Sequence, residues 1–445
     1  MGLSDLNFLF RFLPVFLFIY FFCPVRYRNG ILFGASILFC GLNSLKGALL
    51  LLCSITVSYI LIRIMDSGRG SMSWRRSWLS VAVLFHIGLL CFYKYRMPVL
   101  PPGISFYTFT LLSVDIDVYL YRERAPGSWL ELGAYTAMFP KLLSGPITSY
   151  HAAISQVRCR KVSAKKIEYG LSLGIIGLAS KVIIADTVGI LWHDIRTAGF
   201  ESISTPLAWM GAAAYSVQLL FDFQGYSLMA LGLGSMLGFD LPRNFDHPYR
   251  SRSISEYYRR WHMSLGRWFR NYLYIPLGGS RKGAVRTAFH LLVVWLVTGI
   301  WHGVTPNFVL WGLILGTFIV LEKIWFGEFL NRHRYLSHLY VWFIIPLTWV
   351  IFAIPDFKEL QIYFSRLFPF WSSGVTVNEK DWLYHGRNYL GFFLAALALS
   401  CPPADYLWKK YWNTMAAKTV LFALFWLCVY RLVNGSHNPF LYLSF

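Results

Sequence analysis

Apolar residues run along this chain in long blocks rather than in alternation with polar ones. A bilayer crossing takes about 20 mostly apolar residues. Blocks near that length recur from end to end, at 8–23, 47–65, 78–95, 98–119, 130–150, 167–192, 207–237, 284–300, 307–325, 339–354 and 419–433, with shorter ones at 31–43 and 389–399. The pattern predicts an all-α polytopic membrane protein, a single domain over 1–445 with about 10–12 transmembrane helices. Two blocks do not read as plain crossings. Block 98–119 holds Pro101-Pro102-Gly103 and two carboxylates, Asp115 and Asp117, and block 130–150 holds Gly145-Pro146. Irregular backbone at membrane depth must be covered by protein or line a wet cavity, so both are expected to be broken or re-entrant.

The pattern changes between 243 and 286. Ten basic residues stand there against only Asp246 and Glu256. Ile254, Tyr257, Tyr258, Trp261, Leu265, Trp268 and Phe269 recur at helical spacing, with arginines on the other face. The expectation is an amphipathic helix lying in the membrane interface, on the cytoplasmic side because of its charge.

Composition narrows the class. The chain is 56% hydrophobic and 14% charged, against about 25% charged in soluble domains. Its net charge of +20, from 41 Lys+Arg and 21 Asp+Glu, would suggest nucleic acid in a soluble protein. In a polytopic one it reads as cytoplasmic loops such as 69–76 and 158–166, with membrane lipid as the partner and no nucleic acid. Seven cysteines without a CxxC pair argue against a disulfide framework or a zinc cluster, and no metal is expected. The N-terminus lacks a basic n-region and cleavage site, so the first block is expected to stay as a span.

Ionisable groups among apolar spans are costly and mark function. His302 follows an apolar run in Thr298-Gly299-Ile300-Trp301-His302-Gly303, with glycines on both sides. An imidazole there can take a proton from a hydroxyl, or it simply caps a helix end. His262, in Arg259-Arg260-Trp261-His262, is a second candidate or an interfacial histidine on a polar face. Arg259, Arg260, Arg267 and Arg270 can bind the phosphates of a coenzyme A thioester, or lipid headgroups. Leu277-Gly278-Gly279-Ser280-Arg281-Lys282 resembles a phosphate-cradling turn without P-loop spacing. Asp115, Asp117 and Asp222 are relay or pairing carboxylates; His86, His247 and His290 read as structural.

Together these segments resemble the membrane-bound O-acyltransferase family, nearest its bacterial alginate O-acetyltransferase branch. The resemblance rests on Arg243-Asn244-Phe245-Asp246-His247-Pro248-Tyr249, Tyr258 to Leu265, Asn271 to Gly279 and Thr298 to Gly303. Pro102 to Phe109, Asp117-Val118-Tyr119, Phe139 to Pro146, Phe221 to Ser227 and the aromatic ending from Asn438 agree with it. It implies helices around a central tunnel, His302 and His262 as the catalytic pair, acetyl-CoA as acyl donor, and location in a bacterial inner membrane. It also implies a glycan or peptidoglycan acceptor, reached directly or through an extracytoplasmic acetyltransferase or acceptor-carrying partner protein. Pro276-Leu277-Gly278-Gly279 favours this branch over D-alanyl transfer to a cell-wall polymer. Leu228 and Asn271 stand where the branch often has a carboxylate. Outside the family, a transporter fits the broken spans and intramembrane aspartates, though no inverted repeat is visible, and a non-catalytic scaffold fits the two missing carboxylates.

Overall fold

The computed structural model describes residues 1–67, 71–120, 124–281, 283–368, 370, 377–435 and 440–441. Arg69, Lys282 and the terminal residues Asn438, Pro439 and 442–445 lie outside the described residues. Every regular element among those described is helical. Seven helices are long and apolar enough to cross a bilayer: Leu45–Ser67, Met72–Arg96, Ala164–Ala198, Ala284–His302, Pro306–Arg332, Arg334–Ala353 and Met415–Asn434. Asp381–Leu399 and Pro402–Tyr411 pass the same test as a pair bent by 72°, making eight.

The all-α polytopic class is as expected; among the described residues, some of the expected spans fall outside the helices that pass this length-and-apolarity test, for two physical reasons. Arg28–Asn43 and Ile104–Tyr119 have 16 residues each, about 24 Å of helix against a hydrocarbon core of about 30 Å. Thr205–Met236 is long, 32 residues, but Ser216, Gln218, Asp222, Gln224, Ser227 and Ser235 dilute its apolar character.

Block 130–150 is broken, as its Gly-Pro pair suggests. Trp129–Ala137 ends at Met138, whose ψ of 106° leaves the helical region, and Phe139–Leu142 and Tyr150–Arg158 follow. Local chemistry secures the pieces. The Ser128 and Ser149 hydroxyls accept from the N–H groups of Glu131 and Ala152, capping two of these helices. Glu131 then accepts from Tyr150 Oη at 3.0 Å and from the Arg158 guanidinium at 2.9 and 3.1 Å. Block 98–119 also yields a turn and a short helix. Gly103 sits there at φ +74°, and a Cβ on it would stand 2.3 Å from the Leu142 carbonyl oxygen. Only glycine fits both the conformation and the approach.

Contacts divide the chain into two compact units. One comprises Met1–Gly177, Tyr226–Arg243 and Leu432–Ser444; the other is Leu178–Gly225 and Asn244–Arg431, with Phe445. In the first, Phe139 is ringed by Phe8, Phe12, Phe16 and Phe39 at centroid distances of 6.0, 5.4, 5.0 and 5.7 Å. Asp115 is paired rather than free: it accepts from Ser58 Oγ at 2.9 Å and lies 3.4 Å from His86 Nε2. In the second unit, Ala284–His302 packs along Pro306–Leu321, which packs on Arg334–Ala353. Asp222 is likewise paired, sharing the buried Lys181 ammonium with Asp186 at 3.0 and 2.5 Å.

The close approach at Gly103 gives a direct check. Gly103→Ala is expected to cost about 1–3 kcal/mol and to lower the thermal unfolding midpoint. Gly30→Ala, inside the helix Arg28–Asn43 where an added Cβ meets nothing within 4 Å, should hold or raise the midpoint.

Candidate active site

The expected amphipathic helix is not continuous. Ile254–Arg260 and Met263–Phe269 are separate seven-residue helices, followed by a π-turn at Arg270–Tyr274 and the short Ile275–Leu277. Of its apolar face, Tyr257, Trp261, Leu265 and Phe269 are buried in protein, and Tyr258 and Trp268 are half-buried. Helical spacing of apolar residues does not distinguish burial in protein from contact with lipid.

The break falls on His262, which holds a left-handed backbone at φ +43°. That conformation is uncommon outside glycine and requires support. The preceding segment supplies it from both sides. Asn244 accepts the Met263 N–H on its backbone oxygen at 2.9 Å and the Ser264 N–H on Oδ1 at 3.2 Å. Asp246 N–H donates to the Arg260 carbonyl at 3.0 Å. Arg260 bonds Asp246 Oδ2 at 2.7 Å and Glu256 Oε1 at 2.9 Å. Its guanidinium is therefore engaged by two carboxylates of the chain, unlike those of Arg259, Arg267 and Arg270, which belong to exposed residues.

The start of this hairpin is tied down too. Ser253-Ile254-Ser255-Glu256 reads as a capping box, and Ser253 Oγ accepts the Glu256 N–H. Glu322, buried on the neighbouring long helix, accepts the N–H of Ile254 at 2.5 Å and of Ser255 at 2.9 Å, the Ser255 hydroxyl at 2.6 Å and the Tyr340 hydroxyl at 3.1 Å. A carboxylate over free N–H groups at a helix start is favourable in charge and geometry. Sequence reasoning missed Glu322; the one signal was an acid interrupting the apolar run 307–325.

His302 is the last residue of Ala284–His302 and is buried. Its ring is met edge to face by Trp301, Trp311 and Phe352 at 4.9, 5.1 and 5.2 Å. A Cβ on Gly303 would stand 2.1 Å from the Phe308 ring, so glycine there lets Phe308 close over the turn. Asn307 Nδ2 donates to the Ile351 and Phe352 carbonyls at 3.1 and 3.0 Å, fixing the helix that carries Phe352.

Aromatic rings join the two histidines within one unit. From His302 the contacts pass through Trp311, Trp349 and Trp261, at 5.1, 5.7 and 5.0 Å. They continue through Phe245 and Phe223 to His262, at 5.1, 5.1 and 4.6 Å. Burial lowers the His262 imidazole to about 3. It is thus neutral at physiological pH and offers one N–H donor and one acceptor.

The Gly278-Gly279 turn is not a phosphate cradle. Its N–H groups close a helix end, donating to the Ile275 and Tyr274 carbonyls at 3.0 and 2.9 Å, and the Gly279 carbonyl faces His290 Nδ1 at 3.0 Å. No cluster of metal-ligating side chains occurs among the described residues.

Two buried histidines walled by aromatic rings thus lie in a chain whose long apolar helices are those of a multi-pass membrane protein. Residues 73–354 match the model of the MBOAT, membrane-bound O-acyltransferase family. The chain is 31% identical, over the full length of both proteins, to the probable alginate O-acetylase of Pseudomonas putida. It is 34% identical to the protein of the same name from Azotobacter vinelandii, over 83% of this chain and 78% of the relative. It is 30% identical to the peptidoglycan O-acetyltransferase of Helicobacter pylori, over 79% of this chain and 77% of the relative. The chain belongs to the membrane-bound O-acyltransferase family and is an O-acyltransferase rather than a transporter.

Two outcomes follow from the bracing of His262. Glu322→Gln keeps the size but not the charge over the Ile254–Arg260 helix start, and is expected to lower the unfolding midpoint by an amount that Tyr340→Phe alone does not reach. His247, at the far end of the bracing segment, places Nδ1 2.9 Å from the Ser400 carbonyl and Nε2 3.4 Å from Asp405. The Asp405 carboxylate raises its pKa above 6.5, against a smaller downward push from burial. The ion pair is therefore complete below pH 6.5 and is lost as pH rises through the raised value. The midpoint difference between the wild type and Asp405→Asn should be largest near pH 6 and close by about pH 9.

Proposed function

We propose that this enzyme transfers an acetyl group from cytoplasmic acetyl-CoA to a hydroxyl of an extracytoplasmic polysaccharide or peptidoglycan, directly or through a partner protein that carries the group onward. The observation that carries the reading is the placement of His302 and His262 on one continuous aromatic wall, in a chain whose relatives are named for acetylating alginate and peptidoglycan. His302 is the general base. It takes the proton of the acceptor hydroxyl as that oxygen attacks the thioester carbonyl, and returns it to the departing coenzyme A sulfur as the C–S bond breaks. His262, a neutral imidazole, donates its N–H to the carbonyl oxygen as negative charge gathers there. The aromatic walls exclude the water that would otherwise hydrolyse the thioester.

Arg259, Arg267 and Arg270 are exposed around the same hairpin and are assigned to the donor's phosphates. Arg260 belongs with them in charge, but its two carboxylate partners give it the task of bracing His262.

Replacement tests the roles. His302→Ala is expected to reduce acetyl-CoA-dependent release of free coenzyme A, with a glycan acceptor present, by about 100-fold or more at unchanged expression and unfolding midpoint. Full retained activity would overturn the assignment. Arg267→Ala should instead raise the KM for acetyl-CoA with kcat little changed.

A further inference from the structure

Two segments with sequence patterns as marked as those around the histidines have been given no role so far: Pro102 to Phe109, and Phe139 to Pro146. They meet in the first unit around a cavity of about 10 Å³, room for one water-sized particle. Phe106, Tyr107, Thr136, Lys141, Pro146 and Ile147 are among its lining.

Lys141 makes the cavity chemically distinctive. The residue is 4% exposed. Its Nζ lies 2.8 Å from Thr148 Oγ1 and 4.0 Å from the centroid of the Tyr135 ring. An ammonium carries three N–H donors, and among the described residues no carboxylate lies within ion-pair distance of this one. The contrast with Lys181, which is as deeply buried, is direct: that ammonium shares two carboxylates. Thr136 Oγ1, on the same cavity, is also buried and has no hydrogen-bond partner. An isolated buried charge is strongly disfavoured unless an opposite charge or a set of hydrogen bonds meets it. A buried lysine amine with a single hydrogen-bond partner among the described residues and an unused hydroxyl on one cavity of this size form a donor set that a small anion can meet.

We propose that this cavity binds one small monovalent anion, of chloride size, between the Lys141 ammonium and the Thr136 hydroxyl. The volume sets the class: a lipid phosphate, a sulfate or a sugar carboxylate is too large. The bound anion neutralises Lys141 and fastens the broken Phe139–Leu142 segment to the helix Ile104–Tyr119, beside the point where Gly103 meets Leu142. The proposal does not depend on the acyl-transfer reading, and its test does not use activity.

The test is thermal unfolding of the full chain in detergent, with sodium gluconate exchanged for chloride, bromide or sulfate at constant ionic strength. Chloride and bromide should raise the midpoint by a few degrees in a saturable way, and sulfate should not. Lys141→Met, which keeps the length of the side chain and removes its charge, should unfold at one temperature in all four salts. Thr136→Val should weaken the chloride response without abolishing it. Equal midpoints in all salts for the wild type would mean that Lys141 is held as a neutral amine, and would overturn the proposal. So would a chloride response retained in Lys141→Met, or an equal response to sulfate. Should Lys141→Met fail to fold, anomalous scattering from bromide-grown crystals decides: a peak beside Lys141 Nζ supports the site and its absence removes it.

Discussion

A left-handed backbone costs an L-residue about 1–2 kcal/mol, and two seven-residue helices meeting at His262 cannot hold that conformation by themselves. Isolated helices so short are marginal in water. Support comes from elsewhere in the same unit: Asn244 and Asp246 on either side of the kink, Arg260 clasped by Asp246 and Glu256, and Glu322 closing the helix start. With that bracing, Trp261 turns inward to meet Trp349, and the aromatic wall continues to Trp311 and His302. The geometry at one imidazole thus depends on a backbone kink more than ten residues from the segment that stabilises it.

Much of the fold was legible from length and apolarity, because a bilayer imposes one rule on every crossing: backbone groups must be satisfied within the helix. The broken character of 130–150 was legible through its Gly-Pro pair. The interruption at Trp261-His262 was not, since neither residue is a helix breaker and the apolar spacing continues across it. That spacing marks an apolar face but not what covers it, which period alone cannot supply. The carboxylate pairings were invisible for a different reason. Ser58, His86 and Asp115 lie on three separate helices, and no local pattern announces that they converge. The two histidines stood out as candidates in sequence because one follows Arg-Arg-Trp and the other lies between Gly-Ile-Trp and Gly, whereas the groups that brace the His262 kink are scattered from Asn244 to Glu322.

The high aromatic content, 18% of residues, has two uses here. Phe139 and its neighbours fill a core where a broken segment leaves irregular space. Around the histidines the rings present edges and faces to one another at 4.6 to 5.7 Å. These are distances at which aromatic pairs gain beyond simple burial. Rigid two-torsion side chains can line a reaction path without the rotamer freedom that aliphatic chains would bring.

Glu322 carries one more consequence. Its charge is met by backbone N–H groups and two hydroxyls in a buried setting, where mobile ions have little access. The exposed arginines of the same hairpin stand in the opposite regime, within reach of counterions over a Debye length of about 8 Å at physiological ionic strength. Rising salt should therefore screen those exposed arginines long before it disturbs the buried contacts that brace the His262 kink, so that surface charge and architecture respond to ionic strength as separate quantities.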